Sequence, residues 1–579
     1  MQICKLKRLV GPSIWANYPV IEAWVDLGKY EDFPSNLLPG FNDKLMRWLP
    51  TMIEHRCSIG ERGGFFERMR TGTWLGHVLE HTTLEIQSLA HLPVGYGRAR
   101  ETKDRGVYKV AIEVLDFRFG EASIKVAHDM IMAAAEGREF DLPAALRGLR
   151  KLADDYCYGP STQAIVDGAK KRMIPMLRLT DGNLVQLGYG KAQRRIWTAE
   201  TDSTSAVAES IAHDKELTRQ LLTSVGVPVP AGRFVSSAED AWAAAEEIGL
   251  PVVVKPQSGN KGRGVSIQLE DRQAVLAAFA IAEKEFIASR VVVERCIPGR
   301  QHRVLVVGDK AVATSGGQPQ TLTGDGVHTI EELMAIGNED PLRGEDAAQP
   351  LSPFVLDPIA IDMLKRQGFD AKSVPEAGRA AVLRHNGDLT IDETDRLHPE
   401  TAAQCVLAAR SVGLDVAGID LIAEDISKPL DAQGGAVIEV NSSPGLIMHL
   451  KPQVGLPRPV GDAIIGQLFA AEQTGRVPLA AVSGTNGKTL VAGLLAEMLR
   501  AAGRTVGQTS SDGLRVGDRQ LATGDRCNAD SVRRALMNPY ADSFVFEISE
   551  PHLIDEGMLF DRCEVAVVTN LGSGDHLGK

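Results

Sequence analysis

The sequence predicts a multidomain protein of mixed α/β and α+β class, and three observations lead to this prediction. The chain has 579 residues, whereas single hydrophobic cores stop growing at roughly 250–300 residues. Helical and strand patterns alternate from residue 211 to 450, as they do where helices cover a sheet. A strand, a glycine-rich turn and a helix follow from 477 to 503 and indicate a further α/β layer.

Motif placement divides the chain into three predicted domains. Residues 1–160 mix short strands with at least one long helix, which is typical of an α+β domain. Residues 161–465 form the long alternating region, and residues 466–579 contain the later glycine-rich turn. One helix of the middle region is sharply delimited, because Ser236 and Glu239 form a capping-box pattern and Gly249 is expected to end the helix.

Composition and charge exclude several classes of protein. Hydrophobic residues make up 44% and charged residues 24% of the chain, which is typical of folded globular domains. No apolar run approaches the roughly 18 residues of a membrane span, and the N-terminus has no secretory pattern, so we expect a cytoplasmic protein. The net charge of −12 argues against nucleic acid as a partner. Seven scattered cysteines without a CxxC pair predict reduced thiols.

Five features follow one another between residues 211 and 445, and all five carry groups that suit a nucleotide. The first two are Lys215 in HDKELTRQLL and Lys255 at the end of the apolar strand LPVVVKP. The third is the loop SGNKGRGV, and the fourth is the pair of strands in VVVERCIPGRQHRVLVV. The fifth consists of the strand ends in GIDLIAED and AVIEVNSSPG. The candidate residues of the last three features are Gly259, Lys261, Gly262, Arg263, Gly264, Glu294, Ile297, Gln301, Arg303, Asp420, Glu439 and Asn441.

The chemistry of a magnesium–triphosphate complex explains this set of residue types. Phosphate oxygens need lysines and a glycine loop whose backbone N–H groups can cover them. Magnesium prefers hard oxygen ligands, one or two of them carboxylates, which Asp420 and Glu439 would provide together with the side-chain oxygen of Asn441. Each feature alone is more often a plain turn or an ordinary ion pair. The five in this order predict a nucleotide site.

This order of motifs resembles the ATP-grasp ligases, and EVNSSPG is similar to the metal-binding strand of the D-alanine–D-alanine ligase group. The resemblance implies that Lys215 and Lys255 hold phosphates and that the 259–264 loop closes over them. It also implies that the backbone from Glu294 to Ile297 meets adenine, with Gln301 where the family often has an acidic ribose ligand. Arg303, with Lys261 and Arg263, would stabilise charge on the transferred group.

Several flanking stretches resemble the cyanophycin synthetase family more narrowly. They are HRCSIGERGGFFERMRTGTWLGHVLEH, GYGRARET, YGKAQRRIW, TGDGVHTIEEL and VNSSPGLIMHL. The resemblance implies an ATP- and magnesium-dependent ligase that extends the C-terminal carboxylate of a polymer with a poly-aspartate backbone and arginine side groups. It also implies a homo-oligomer, with polymer or primer as a partner and neither nucleic acid nor membrane.

The segment SGTNGKT lies between the strand VPLAAV and a long helix, the setting that a phosphate-binding P-loop needs. Lys488 would reach the β- and γ-phosphates, and Thr489 would be available to magnesium. The loop resembles that of the Mur ligases. Because 95 residues follow Gly484 and EISEPHLI replaces an ETARGGIL-like stretch of the family, we expect a truncated P-loop domain and no second ligation.

The stretch LRHNGDLTIDETDRLHPE resembles a substrate loop of the family but lacks its TGGT-like insert. Both departures are similar to the short second form of the family, which joins preformed β-aspartyl-arginine dipeptides. Three alternatives stay open. They are a truncated two-reaction synthetase that adds free aspartate and then arginine, a ligase for another acidic amino acid, and a non-catalytic polymer-binding scaffold.

The helical stretch GHVLEHTTLEIQSLA contains an HxxEH pattern, in which His77 and His81 share one helix face with Glu80 between them. Such a pair can hold zinc if a third ligand is present, for which Glu85 and Glu113 are candidates. The alternative is an ordinary His–Glu pair on a helix face. Some family members carry a metallopeptidase-like site here with an arginine near GRxRET, and that resemblance implies a role for Arg98. The chain departs from it in VLDFRF, where the family has an acidic run.

Overall fold

The computed structural model describes residues 1–57, 60–257, 264–285, 290–344, 349–384 and 387–572. The chain forms two compact units. The first contains Met1–Tyr158, Arg172–Arg195 and Gln473–Lys579, and the second contains Gly159–Lys171 and Ile196–Glu472. The division into three domains stays a prediction. Within the described ranges no helix is long and apolar enough to cross a membrane.

The N-terminal part of the first unit is an antiparallel sheet of order β1-β2-β4-β3 with helices packed on it. Helices α3 and α4 lie against each other and against the central strands, where their buried apolar residues form the core. The elements are β1 Gln2–Leu9, β2 Val20–Asp26, α1 Phe41–Trp48, α2 Gly64–Thr71, α3 Leu75–Leu89, β3 Gly97–Glu101, β4 Val107–Glu113, α4 Phe117–Ala135 and α5 Leu142–Tyr156, with 3₁₀ turns at Gly28–Asp32, Ser35–Leu37 and Pro50–Glu54.

The second unit begins with one helix and later resumes at a short hairpin. Strands β5 and β6 pair in the first unit, and β7 pairs with β8 where the chain passes to the second. The elements are α6 Pro160–Lys171, β5 Met176–Arg178, β6 Leu184–Leu187, a 3₁₀ turn at Gly190–Ala192, β7 Arg194–Trp197, β8 Glu200–Thr201, α7 Ala206–His213 and α8 Lys215–Ser224.

A four-stranded antiparallel sheet of order β11-β10-β12-β9 follows, and two helices cover its apolar face. The elements are β9 Gly232–Val235, α9 Ala238–Ile248, β10 Val252–Pro256, β11 Ser266–Leu269, α10 Arg272–Glu285 and β12 Val291–Arg295. The expected capping box of α9 is wrong, because Ser237 caps the helix by accepting from the N–H of Asp240, and the Asp240 carboxylate accepts from Ser236. Gly249 ends the helix as predicted.

The main sheet of the second unit has five antiparallel strands in the order β17-β14-β13-β18-β19. Helix α13 covers one face, and a small subdomain of β15, β16, α11 and α12 has its own core. The elements are β13 Arg300–Val307, β14 Lys310–Gly317, β15 Gln320–Thr323, α11 Ile330–Gly337, α12 Pro358–Arg366, β16 Ala380–Arg384, β17 Leu389–Asp392, a 3₁₀ turn at Thr394–Arg396, α13 Pro399–Val412, β18 Val416–Ala423, α14 Leu430–Gln433, β19 Ala436–Asn441, α15 Ile447–Leu450 and α16 Val460–Leu468.

The C-terminal part of the first unit is a six-stranded sheet of order β23-β22-β21-β24-β20-β25, whose last four strands are parallel. The glycine-rich turn joins β20 to the N-terminus of α17, as the sequence predicts. The elements are β20 Leu479–Ser483, α17 Lys488–Ala501, β21 Val506–Ser510, β22 Gly513–Val516, β23 Arg519–Thr523, α18 Ala529–Leu536, β24 Ser543–Glu547, α19 Glu550–Glu556 and β25 Val565–Val568.

Candidate active site

A row of five polar residues crosses the main sheet of the second unit, one from each strand. The register sets them directly opposite one another, in the order Asp392, Ser315, Arg303, Asp420 and Glu439. Directly opposed residues of an antiparallel sheet point to the same face. The register therefore brings together three residues that the sequence predicted as a set, and adds two that it did not identify.

Alternation along the strands explains why these side chains share one face. In β13 the apolar Val304 and Val306 point to the other face, and in β18 Ile419 and Leu421 do the same. All four are buried in the core under α13. Because side chains alternate between faces, burial of this apolar set leaves the intervening residues on the polar face.

Arg303 and Asp420 form an ion pair at the centre of the row. The Nε and Nη2 groups of Arg303 donate to the two carboxylate oxygens of Asp420, with Nη2 2.7 Å from Oδ2. Burial disfavours the charge of the guanidinium, but the carboxylate of Asp420 outweighs this effect, so the pKa of Arg303 is raised. The side-chain nitrogen of Asn441 donates to Asp420 Oδ2 at 3.2 Å and to the carbonyl of Gly418.

Two lysines predicted to hold phosphate are also paired with carboxylates. Lys215 begins α8, where its Nζ lies 3.1 Å from Glu439 Oε1. Lys255 of β10 lies with its Nζ 2.6 Å from Glu294 Oε2 of the neighbouring strand β12. All four residues line one pocket, together with Arg219 and apolar residues of α8 and β19.

The remaining residues of the predicted nucleotide site lie around this pocket or outside the described part of the chain. Ile297 is half-buried in the connection from β12 to β13, and Gln301 is half-buried on β13 opposite Ile422. Gly264 has a φ of +71°, a left-handed conformation that glycine adopts readily. Four loop residues lie outside the described residues, namely Gly259, Lys261, Gly262 and Arg263.

The donor set of the row fits magnesium. Asp420 and Glu439 are neighbouring carboxylates, and Asn441 uses its nitrogen for hydrogen bonds, which leaves its side-chain oxygen as a ligand. These are the hard oxygen donors that magnesium prefers, and nucleotide phosphates commonly complete its shell. The same carboxylates balance the charges of Arg303 and Lys215 in the structure.

The predicted P-loop has the local geometry expected of such a loop. Lys488 is the first residue of α17, and its Nζ donates to the carbonyl of Gly484 at 2.7 Å. Thr489 Oγ1 donates to Glu547 Oε1 at 3.1 Å, and Ser511 donates to the same carboxylate from both N–H and hydroxyl. Glu547 is 1% exposed at the end of β24. The sequence did not identify it, although the carboxyl ends of parallel strands meet at one sheet edge.

In the first unit, the HxxEH helix presents a cluster of metal-type ligands. The ligand atoms of Cys57, His77 and His81 lie within 4.8 Å of one another. Among the residues that the structure describes, these three could together hold a metal ion. The Sγ of Cys57 is 3.3 Å from His77 Nε2. The third group is therefore Cys57, and the two glutamates considered from the sequence are not part of it.

Hydrogen bonds from neighbouring residues orient both imidazoles. Thr73 Oγ1 lies 2.8 Å from His77 Nδ1, and His55 Nδ1 lies 2.9 Å from His81 Nδ1. Glu85 accepts from His55 Nε2 at 2.9 Å, so it supports His55 instead of acting as a ligand. His77 and His81 thus keep Nε2 available to a metal, and the partner at Nδ1 fixes the orientation of each ring. Glu113 instead accepts from the backbone N–H groups of residues 95 and 96.

Glu80 is buried beside the cluster with Arg98 nearby. Burial raises the pKa of Glu80 to about 7, although a backbone hydrogen bond and the charge of Arg98 on β3 oppose the shift. Burial also lowers the pKa of His77 to about 4 and that of His81 to about 2, so both imidazoles are neutral. A Cβ at Gly97 would lie 2.5 Å from Glu80 Cγ, so glycine is needed there.

Three family models match the chain. The cyanophycin synthase-like N-terminal domain matches residues 22–136, and the carbamoyl-phosphate synthase L chain ATP-binding domain matches 214–313. The Mur ligase middle domain matches 482–579. The first match includes the HxxEH cluster, the second includes Lys215, Lys255, Glu294 and Arg303, and the third includes the P-loop.

Curated relatives match over the full chain. It is 39% identical over 590 residues to the cyanophycin synthetase of Geminocystis herdmanii, covering 100% of this chain and 67% of that protein. It is 38% identical over 589 residues to that of a Synechocystis species, with the same coverage. The chain thus spans about two thirds of their length. The solved structure of a bifunctional glutathione synthetase from Pasteurella multocida matches with 20% identity over 78% of this chain and 81% of that one, with a TM-score of 0.43.

Proposed function

Because the chain belongs to the cyanophycin synthetase family, an ATP-dependent ligase family that forms amide bonds, we propose a specific reaction for the site in its second unit. The site phosphorylates the C-terminal carboxylate of cyanophycin and condenses it with the amine of a β-aspartyl-arginine dipeptide. The observation that carries this proposal is the row with Arg303, Asp420 and Glu439 beside the pocket of Lys215 and Lys255.

The residues of the row and pocket have separate tasks in this reaction. Lys215 and Lys255 bind phosphate oxygens and orient the triphosphate. An oxygen of the polymer carboxylate attacks the γ-phosphorus, the bond to the β-phosphate oxygen breaks, and ADP leaves. The amine nitrogen then attacks the acyl carbon, phosphate leaves, and the amine loses a proton. Arg303 stabilises the negative charge on the transferred group in both steps. Magnesium held by Asp420, Glu439 and Asn441 would supply charge neutralisation for the phosphates.

In this proposal the cations of the site leave their carboxylate partners to bind phosphate, and the released carboxylates bind magnesium. Ligand binding therefore depends on the complete magnesium–nucleotide complex. Lys215, Lys255 and Arg303 are each paired with a carboxylate, and two of these carboxylates would bind metal. Binding the complex satisfies both sets of charges at once. Metal alone would leave Arg303 and Lys215 without their counter-charges, which is unfavourable at partly buried positions.

The identity of the amine is the finer part of the proposal. The substrate-loop stretch that lacks the insert includes β17, and ion pairs hold it at the sheet, where Asp392 accepts from Arg458 Nη2 at 2.6 Å. A shorter loop gives fewer contacts to a small free amino acid and more room for a dipeptide. The alternative is free aspartate, followed by arginine addition at the P-loop domain.

Phosphate release measured with ATP, magnesium and a cyanophycin primer tests the proposal. Separate reactions contain β-aspartyl-arginine, free aspartate, free arginine, both free amino acids, or no amine. We expect primer-dependent release and polymer growth with the dipeptide alone. Growth only with the free amino acids would replace the dipeptide proposal by the alternative, and release in none of the reactions would overturn the ligase function.

The Cys57–His77–His81 cluster supports a second proposal, a zinc-dependent hydrolase that trims cyanophycin. Three ligands with fixed orientation leave a coordination position for water, the arrangement of catalytic zinc sites. Glu80 beside them has a raised pKa and would hold and return the proton of that water. The competing interpretation is a purely structural metal site.

Incubation of the enzyme with polymer in the absence of ATP tests this second proposal. We expect shortening of the polymer by the wild-type protein and none by Glu80→Gln, with zinc content unchanged in the variant. Zinc retained in both proteins without any shortening would indicate the structural site.

A further inference from the structure

His449 of α15 contains a buried polar atom that the proposed reaction does not yet use. Its Nδ1 lies 3.0 Å from Ser315 Oγ, the residue of the row next to Arg303. The side chain is 3% exposed, and its Nε2 has no hydrogen-bond partner among the residues that the structure describes. An unpartnered polar atom in a protein interior lowers folding stability. We therefore ask which group could become the hydrogen-bond partner of this nitrogen.

The segment that carries His449 lies directly over the row. A Cβ at Gly418 would be 2.9 Å from Pro444 Cβ and 3.2 Å from Arg303 Cδ, so the connection from β19 to α15 passes close to the guanidinium. Helix α15 then packs on β14 and β17. His449 therefore lies over the half of the row on the opposite side of Arg303 from the candidate metal ligands.

The hydrogen bonds around Ser315 assign the form of the imidazole. Ser315 Oγ lies 3.0 Å from His449 Nδ1 and 3.5 Å from the carbonyl oxygen of Met448. When the hydroxyl donates to that carbonyl, its oxygen accepts from His449 Nδ1–H. In that tautomer Nε2 carries a lone pair. Burial, followed by the positive charge of Arg303, lowers the pKa of His449 to about 3, so the ring is a neutral acceptor.

A neutral acceptor would suit the one guanidinium nitrogen of Arg303 that has no partner among the described residues. Nε and Nη2 of the guanidinium face Asp420, whereas Nη1 lies 3.2 Å from the position that a Cβ at Gly418 would take and makes no hydrogen bond within the described ranges. A second carboxylate at this place would compete with the phosphoryl group for the positive charge. An apolar side chain would leave the guanidinium unrestrained once Asp420 is shared with the metal–nucleotide complex.

We propose that His449 is a positioning residue for Arg303, whose Nη1 donates to His449 Nε2 when the nucleotide complex occupies the site. This role rests on the proposed ligase function of the row. Ser315 fixes the ring, and the ring keeps the guanidinium aligned with the transferred phosphoryl group. The positioning role belongs to Nε2, so it can be tested separately from the structural role of Nδ1, which contacts Ser315.

Two conservative substitutions make this separation. His449→Asn keeps a polar atom near the position of Nδ1, and His449→Gln keeps one near the position of Nε2. We expect His449→Asn to lower kcat about ten- to hundredfold, as misalignment of a catalytic group does. The KM for ATP should stay unchanged, because the lysines still bind the phosphates, and His449→Gln should recover most of kcat. Normal kcat in His449→Asn, or equal loss in both variants with unchanged melting temperature, would overturn the proposal.

A spectroscopic measurement on the wild-type 579-residue chain decides the question independently of turnover. With ¹⁵N-labelled histidine, the signal of His449 is assigned by its loss in His449→Gln. We expect a neutral Nδ1–H tautomer without ligand and a shift of the Nε2 resonance when AMPPNP with magnesium is added. An unchanged Nε2 resonance overturns the positioning role even if ligation proceeds. A shift without any ligation of the tested amines supports the role while the proposed substrate fails.

Discussion

The two candidate sites of this chain solve the problem of holding charged ligands in opposite ways. In the second unit, Arg303, Lys215 and Lys255 are each paired with a carboxylate, so these three cations have counter-charges before any ligand binds. In the first unit, His77 and His81 are neutral because burial lowers their pKa values. The ion-paired site of the second unit would have to exchange its carboxylate partners for ligand charges. The histidine cluster of the first unit is instead a preformed set of neutral nitrogen donors beside the Cys57 thiol.

The largest expected effect tests whether the ion-paired row is the catalytic centre. Asp420→Asn should lower the rate of amine-dependent phosphate release at least about a thousandfold. Loss of one charge-stabilising group costs about 10²–10³ in kcat, and this change also unpairs Arg303. Asp431→Asn, at an exposed residue of α14 in the same unit, is the matched control. Activity of Asp420→Asn within tenfold of the control would exclude the row as the catalytic centre.

The next effect concerns the neutral site. Cys57→Ser should weaken zinc binding at least about a hundredfold, because even partners of ligands are worth about 10–100-fold in affinity. Metal content after dialysis, measured by mass spectrometry, gives the result, and the exposed Cys4→Ser serves as the control. Equal zinc content in the two variants would place the metal elsewhere.

A third effect is the pH dependence of folding stability that the buried, neutral His449 causes beside the ion-paired row. The pKa of His449 in the folded protein is about 3, below the ordinary value of 6.5, so the unfolded chain binds the additional proton. Stability is therefore lost as pH falls below 6.5. From pH 7 to pH 5 the loss from this group should be about 2 kcal/mol.

Hydrogen exchange of peptides from β13 and β14, corrected for intrinsic exchange rates, measures this loss. His449→Gln should reduce the pH dependence of the opening free energy in these strands by that amount. The same pH dependence in the two proteins would contradict burial of a neutral ring at this position.

The smallest effect sharpens the idea of partner exchange. Glu439→Gln removes the carboxylate that competes with phosphate for Lys215, so metal-free ATP should bind more tightly. A partly exposed pair is worth up to about 1 kcal/mol, or about fivefold in Kd. Calorimetric titration in the presence of a chelator measures it, with the exposed Glu424→Gln as the control. Weaker binding by Glu439→Gln than by the control would mean that the ion pair does not restrain Lys215.

The fold class and the family could be predicted from the sequence, but only part of each candidate site could. The family matches confirm the ATP-grasp and Mur ligase assignments. Both could be predicted because their motifs depend on local strand–loop–helix patterns, which can be recognised without tertiary structure. Asp420 and Glu439 could be selected as carboxylates at strand ends, and the register sets them side by side. The roles assigned to these residues stay predictions.

Residues that long-range pairing brings into the sites escaped prediction. Ser315 enters the row only through the β13–β14 register, and His449 enters only through its bond to Ser315. Cys57 lies 20 residues before His77, in a segment without periodicity that could point to the helix. Glu547 reads as the end of a buried strand, and only the parallel pairing with β20 brings it to the P-loop.

The tight turn between β13 and β14 has a consequence for how this protein can vary. Only Gly308 and Asp309 separate the paired residues Val307 and Lys310. One inserted or deleted residue that shifted β13 by a single position would send Arg303 to the face under α13 and bring His302 to the nucleotide side. Such a length change would disable the site while preserving every functional amino acid. The length of this hairpin is therefore as strict a requirement as the identity of any residue in the row.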